Sequence, residues 1–121
     1  REQLILRDTP YPVSAKFLNH ILGVEDVEDL GAFLVHGDCM VPTLSPNEVV
    51  IVDLTAIDLV EGIHLIVDKS GIHYRRIKLP HGKPVELYSD NAEMYETEAI
   101  PDQSLPKLQI LGRVIWHGKR M

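Results

Sequence analysis

Beyond Leu30 the chain is a succession of short β-branched and aliphatic runs cut by turn residues. This alternation limits the fold more than any other feature. The runs are Phe33-Leu34-Val35-His36, Glu48 to Val52, Ile63 to Val67, Ile72 to Leu79, Val85 to Tyr88 and Leu108 to Trp116. No helical stretch alternates with them, so the pattern excludes a parallel βαβ sheet and predicts a mainly antiparallel β domain. Asp68-Lys69-Ser70-Gly71 reads as a hairpin connection in which Gly71 takes positive φ. Pro80-His81-Gly82-Lys83-Pro84 reads as a second turn.

Ahead of these runs lies a different kind of sequence. Thr9-Pro10-Tyr11-Pro12 holds two prolines too close together for a helix, which predicts an extended lead-in over residues 1–13. One short helix should follow, with Ser14 as N-cap, Phe17, Leu18, Ile21 and Leu22 on one face, and Gly23 as the stop. The acidic run Val24 to Asp29 reads as a solvated turn. Residues 14–121 then form one domain, since 121 residues suffice for one core and not for two. Arg1 in the first position, where a methionine would start a chain, raises the expectation of an upstream domain.

Charge and composition remove several function classes. Twelve basic residues against eighteen acidic ones leave a net charge of −6, the wrong sign for a domain gripping a phosphate backbone unaided. The basic clusters Arg75-Arg76-Ile77-Lys78 and Arg113 with Lys119-Arg120 read as a solvated strand edge and a tail. No apolar run approaches the ~20 residues of a membrane span, and no secretory leader is seen. One cysteine cannot form an internal disulfide and fits a reducing cytoplasm. The histidines show no metal-ligand spacing, so neither a metal nor a cofactor is expected.

The motif that carries chemistry is Gly37-Asp38-Cys39-Met40-Val41-Pro42-Thr43-Leu44, followed by Asn47 to Asp53, Glu61 to Val67, Arg75-Arg76-Ile77, Ser89-Asp90-Asn91 and Gly112-Arg113-Val114-Ile115-Trp116. In this order the motifs resemble the C-terminal domain of the LexA and phage-repressor family, the serine–lysine self-cleaving peptidases that include the UmuD mutagenesis protein. The resemblance spans about residues 14 to 119. It implies small, strongly bent antiparallel sheets of a β-clip kind, with one short N-terminal helix. It places Cys39 where the family keeps its serine nucleophile, and Arg75 where it keeps its lysine general base.

Those two departures shape the functional expectation. A hydroxyl nucleophile needs a neighbouring base, and a buried lysine can serve because desolvation lowers its pKa. Arginine stays protonated at any ordinary pH, so Arg75 neither accepts the nucleophile's proton nor donates one to a leaving amine. A cation beside a thiol lowers its pKa, so a Cys39 thiolate paired with Arg75 is one expectation. A plain semi-buried Cys39 at a tight turn is the other. His73, on the strand face of Arg75, and His36, three residues before Cys39, are the candidate acids for any rescue.

The resemblance therefore implies the regulatory and dimerisation domain of a bacterial or prophage transcriptional repressor with a degenerate autopeptidase site. Its partners would be a second copy or a higher homo-oligomer, and operator DNA through an N-terminal helix-turn-helix domain absent from this chain. A RecA filament, as in the SOS response, or an antirepressor would act as inducer. The alternatives are an active, RecA-stimulated autopeptidase with Cys39 as nucleophile, and a thiol redox switch. No Ala-Gly or Cys-Gly pair, the family's cleavage sites, precedes Cys39. Ser89-Asp90-Asn91 is expected to hydrogen-bond a loop, and Val114-Ile115-Trp116 to supply core and edge-strand surface, part of it covered by a second copy.

Overall fold

The computed structural model describes residues 30–68 and 71–118. The expected lead-in over residues 1–13 and the helix from Ser14 lie outside them. Seven strands form one antiparallel sheet: β1 Leu30–Leu34, β2 Val49–Asp53, β3 Gly62–Asp68, β4 Gly71–Lys78, β5 Val85–Tyr88, β6 Glu98–Ile100 and β7 Gln109–Gly118. A 3-10 helix, Asp102–Lys107, precedes β7. The order across the sheet is β1-β2-β7-β3-β4-β5-β6. The fold is thus mainly β and antiparallel, as the runs predict.

The last strand joins the two halves of this sheet. Gln109 to Arg113 pair with β3, whereas Arg113 to Gly118 pair with β2. Both ladders slip on β7: Leu111 is passed over between the Leu65–Gly112 and Ile66–Ile110 pairs, and Ile115 between the Ile51–Trp116 and Val52–Val114 pairs. Each slip is a bulge, and bulges bend and twist a strand. Gly112 lies between the two, where a Cβ would come within 2.6 Å of Asp53 O, so β2 and β7 approach closely only because the side chain is missing. The sequence predicts Val114–Trp116 partly as an edge. The strand is instead interior to the sheet order, and among the described residues its second half has no ladder on the β3 side.

Two apolar clusters follow from this bend. One gathers Val35, Met40, Leu44, Val50, Val52, Leu65 and Tyr74, with Cys39 packed against it. The other gathers Ile66, Ile77, Leu87 and Ile100. Burial of such side chains, at about 25 cal/mol per Å² of apolar surface, is what holds a sheet of short strands together.

Element boundaries depart from those expected of the sequence in explicable ways. The first strand starts at Leu30 and stops at Leu34, before His36, because Gly37 turns the chain with φ 80. Its Gly31 leaves room for the Phe33 ring, whose Cε2 would lie 2.7 Å from a Cβ there. The β3–β4 hairpin closes on Asp68 and Gly71, and Gly71 has φ 123 as expected. The Pro80 turn closes through the Lys83 amide on Pro80 O, with Gly82 at φ 71. Short β6 and the 3-10 helix, which contains Pro106, have no counterpart among the predicted elements.

Candidate functional site

The segment between β1 and β2 is a compact turn fastened from three directions. Within it the Leu44 amide donates to Met40 O at 2.9 Å and the Val41 amide to Asp38 O at 3.2 Å. Met40 and Leu44 are buried in the first apolar cluster and anchor the turn from below. The Val41–Pro42 peptide is cis. At its far end, buried Glu48 accepts the Ser45 amide at 3.0 Å and pairs with His117 Nδ1 at 2.8 Å, which ties the turn to the end of β7.

The loop after β5 supplies the third fastening. The Asn91 amide donates to Cys39 O at 3.1 Å and its side chain to Asp38 O at 3.1 Å. Tyr95 donates its hydroxyl to the Asp38 carboxylate at 2.5 Å. Thr43 donates to Asp90 Oδ2 at 2.5 Å, and Arg76 holds Asp90 by two bonds of 2.8 and 2.7 Å. Forked guanidinium–carboxylate pairs are among the stronger polar contacts. The Arg76 hydrogen bond is the main reason the Asp90 carboxyl sits below its ordinary pKa; burial opposes the shift and the Thr43 hydroxyl adds to it. Asp90 and Asn91 thus bond a loop as expected of Ser89-Asp90-Asn91, and that loop is the Cys39 turn.

Cys39 and Arg75, far apart in sequence, are brought together by this turn and by β4. Arg75 Nη1 lies 3.2 Å from Cys39 Sγ and also donates to Tyr74 O at 3.0 Å. The thiol itself donates to Tyr74 O at 3.5 Å. Here the expectation of a lowered thiol pKa is corrected. Burial pushes the Cys39 thiol above its ordinary value, and the Arg75 charge and hydrogen bond offset that only in part. Burial thus favours the thiol form, which donates to Tyr74 O and accepts from Arg75.

An apolar cavity of about 560 Å³ opens beside the sulfur. Phe33, Leu54, Leu65 and Leu111 contribute to its walls, and His36, Cys39 and His73 contribute its polar chemistry. Both histidines singled out in the sequence thus line the cavity of Cys39. Among the described residues, no group of three or more His, Cys, Asp or Glu side chains converges as a metal site. None of their helices is long and apolar enough to cross a membrane.

Three contacts cannot be read from the sequence: Arg76 with Asp90, Thr43 with Asp90, and Tyr95 with Asp38. Adjacent residues of a strand point to opposite faces. Arg75 and Arg76 are therefore bound to face different neighbours, which is the available signal.

The antiparallel domain thus holds a cysteine–arginine pair at a strap-held turn beside an apolar cavity. The sequence profile described as Peptidase S24-like matches residues 3–115, and the chain belongs to that family. An uncharacterized HTH-type transcriptional regulator of Haemophilus influenzae (strain ATCC 51907 / DSM 11121 / KW20 / Rd) is 29% identical over 112 residues, covering 92% of this chain and 46% of that protein. The chain spans about half the length of this curated relative.

Proposed function

We propose that this chain is the C-terminal regulatory and dimerisation domain, over residues 14–121, of a cytoplasmic bacterial or prophage transcriptional repressor. Its peptidase site is degenerate. The observation that carries this reading is the 3.2 Å contact between Arg75 Nη1 and Cys39 Sγ. Self-cleavage of a peptide requires a group at that position to take the nucleophile's proton and return it to the departing amine. A guanidinium does neither near neutral pH. The raised thiol pKa works in the same direction, because the thiol form is a poor nucleophile.

Membership of the S24-like family and likeness to a protein described as an HTH-type transcriptional regulator support the regulatory half of the proposal. In it, two copies associate and an N-terminal helix-turn-helix domain, outside this chain, meets a two-fold operator. Pairing raises the effective concentration of each DNA-binding head at its half-site. Induction then comes from an antirepressor or another binding event. Sedimentation across a range of concentrations tests the assembly. A concentration-dependent dimer or larger species supports it, and a monomer at high concentration refutes it.

A second reading, an active cysteine autopeptidase, is favoured by one observation: His36 and His73 line the same cavity as Cys39. A histidine moving onto the sulfur would supply the missing acid. Incubating a chain extended upstream, at alkaline pH and with or without activated RecA filament, separates the readings. A Cys39-dependent, RecA-stimulated break supports the second reading and removes the first.

A further inference from the structure

Outside the Cys39 site, one side chain is in an unusual position. His64, in the middle of β3, is fully buried. Its Nδ1 lies 3.0 Å from Gly62 O, so in the neutral ring the Nδ1–H donates there and Nε2 keeps the lone pair. That Nε2 is buried without a hydrogen-bond partner, which among the described residues is true of no other side-chain nitrogen or oxygen. Such an atom normally finds a partner.

The neighbours on both sides are cations. Arg75 of β4 and Arg113 of β7 are the register partners of His64. Arg113, itself exposed, lays its guanidinium across Gly62, with Nε 3.2 Å from where a Cβ would stand. Gly62 has φ 135, so the absent side chain serves both the backbone turn and the seat for Arg113. Asp53 of β2 comes next in the row, opposite Arg113. Its Oδ1 accepts from the Thr55 amide and hydroxyl at 2.9 and 2.6 Å. Among the described residues, the charge that bears on His64 is thus the Arg113 cation, with the Asp53 carboxylate one strand further off.

We propose that the pair His64–Arg113 is an acid-sensitive latch on the β3–β7 seam. With His64 neutral, Arg113 lies over Gly62 and closes the ring in. With His64 protonated, two cations face each other across the seam, and Arg113 lifts away to let water reach the ring. Burial holds the imidazole pKa below its ordinary value; the Gly62 carbonyl opposes that shift and the Arg113 charge adds to it. The unfolded chain takes up this proton near pH ~6.5. The native chain does so only at lower pH. Stability from this group is therefore complete above about pH 6.5 and is lost as pH falls toward the native value.

The test uses the 121-residue chain and the proton as the only ligand. NMR titration of the wild-type His64 ring is expected to show Nε2 unprotonated at pH 7 and a midpoint below that of a free histidine. Relative to H64Q, the wild-type unfolding constant is expected to rise by up to about tenfold per pH unit below ~6.5. Amide protection factors should fall between pH 7.5 and 5.5 along the β3–β7 ladder while the β1–β2 ladder holds. R113Q should move the His64 midpoint upward. A His64 midpoint at or above the free value overturns the latch, and so does uniform loss of protection across the sheet. The ring titration needs no variant, so the proposal stays testable if H64Q does not fold.

Discussion

Arg75 and Arg76 are adjacent on one strand, yet they belong to two regions of opposite character. Arg76 faces Asp90, which also receives Thr43, and every charged group in that clamp has a partner of opposite sign or a hydrogen bond. Arg75 donates to the Cys39 sulfur and to the Tyr74 carbonyl. The first region is a strap that fixes the turn carrying Cys39. In the function proposed above, the second is the place where chemistry would occur, with a permanent cation where proton transfer needs a base. A nucleophile turn can therefore be held in position with no reaction following. Geometry and reactivity are supplied by different residues, only one position apart.

Removing the two arginines one at a time puts this contrast at risk. R76A should cost about 2 kcal/mol, because it removes a forked ion pair and leaves a largely buried carboxylate; the usual penalty for breaking a buried pair is reduced here by the partial exposure of Arg76. R75A should cost less, about 1 kcal/mol for the donors to Cys39 Sγ and Tyr74 O that it removes. Urea unfolding of both variants measures the difference. Equal losses would mean that Arg75 is as much a structural strut as its neighbour.

Acid separates the two regions further. The Asp90 carboxyl is held below its ordinary value of 3.8, chiefly by Arg76. Its stabilisation is present above that value and disappears as pH falls through the native one. D90N should flatten this part of the stability–pH curve, below about pH 4, and leave the curve near pH 6 unchanged. A smaller effect concerns the thiol. Its alkylation rate should rise with pH along a curve whose midpoint lies above that of a free cysteine, and R75A should push that midpoint higher still. C39S should change stability least, by about 1 kcal/mol or less, because the hydroxyl can replace the thiol as donor to Tyr74 O.

Much of this fold can be read in the chain because its signals are local. Four aliphatic residues ending in Asp53, and the Asp68–Gly71 turn, specify their own structure within a few residues. The weaker elements lack such signals. Glu98-Ala99-Ile100 is too short to show alternation, and Asp102–Lys107 contains a proline. Nor does the run Leu108 to Trp116 tell that β7 will cross between two neighbours, because that depends on bulges at Leu111 and Ile115 created by the partners. At the candidate site, the residue types at 39 and 75 carry the proposal of a missing general base. The direction of the thiol's pKa does not follow from them. A cation alone predicts a fall, and only the burial of Cys39 reverses the sign. His64 is hidden in the sequence for a similar reason. Alternation marks one face of β3 as apolar, while here Leu65 and Ile66 are buried in succession beside it.

Because Arg75 cannot do the work of a base, Cys39 should not cut peptide bonds. The direct measurement is the fate of an upstream-extended chain held between about pH 7 and 10 with activated RecA filament, compared with its C39A and R75K forms. The wild-type chain is expected to stay intact over the whole range. A break in the wild type that C39A abolishes would contradict this.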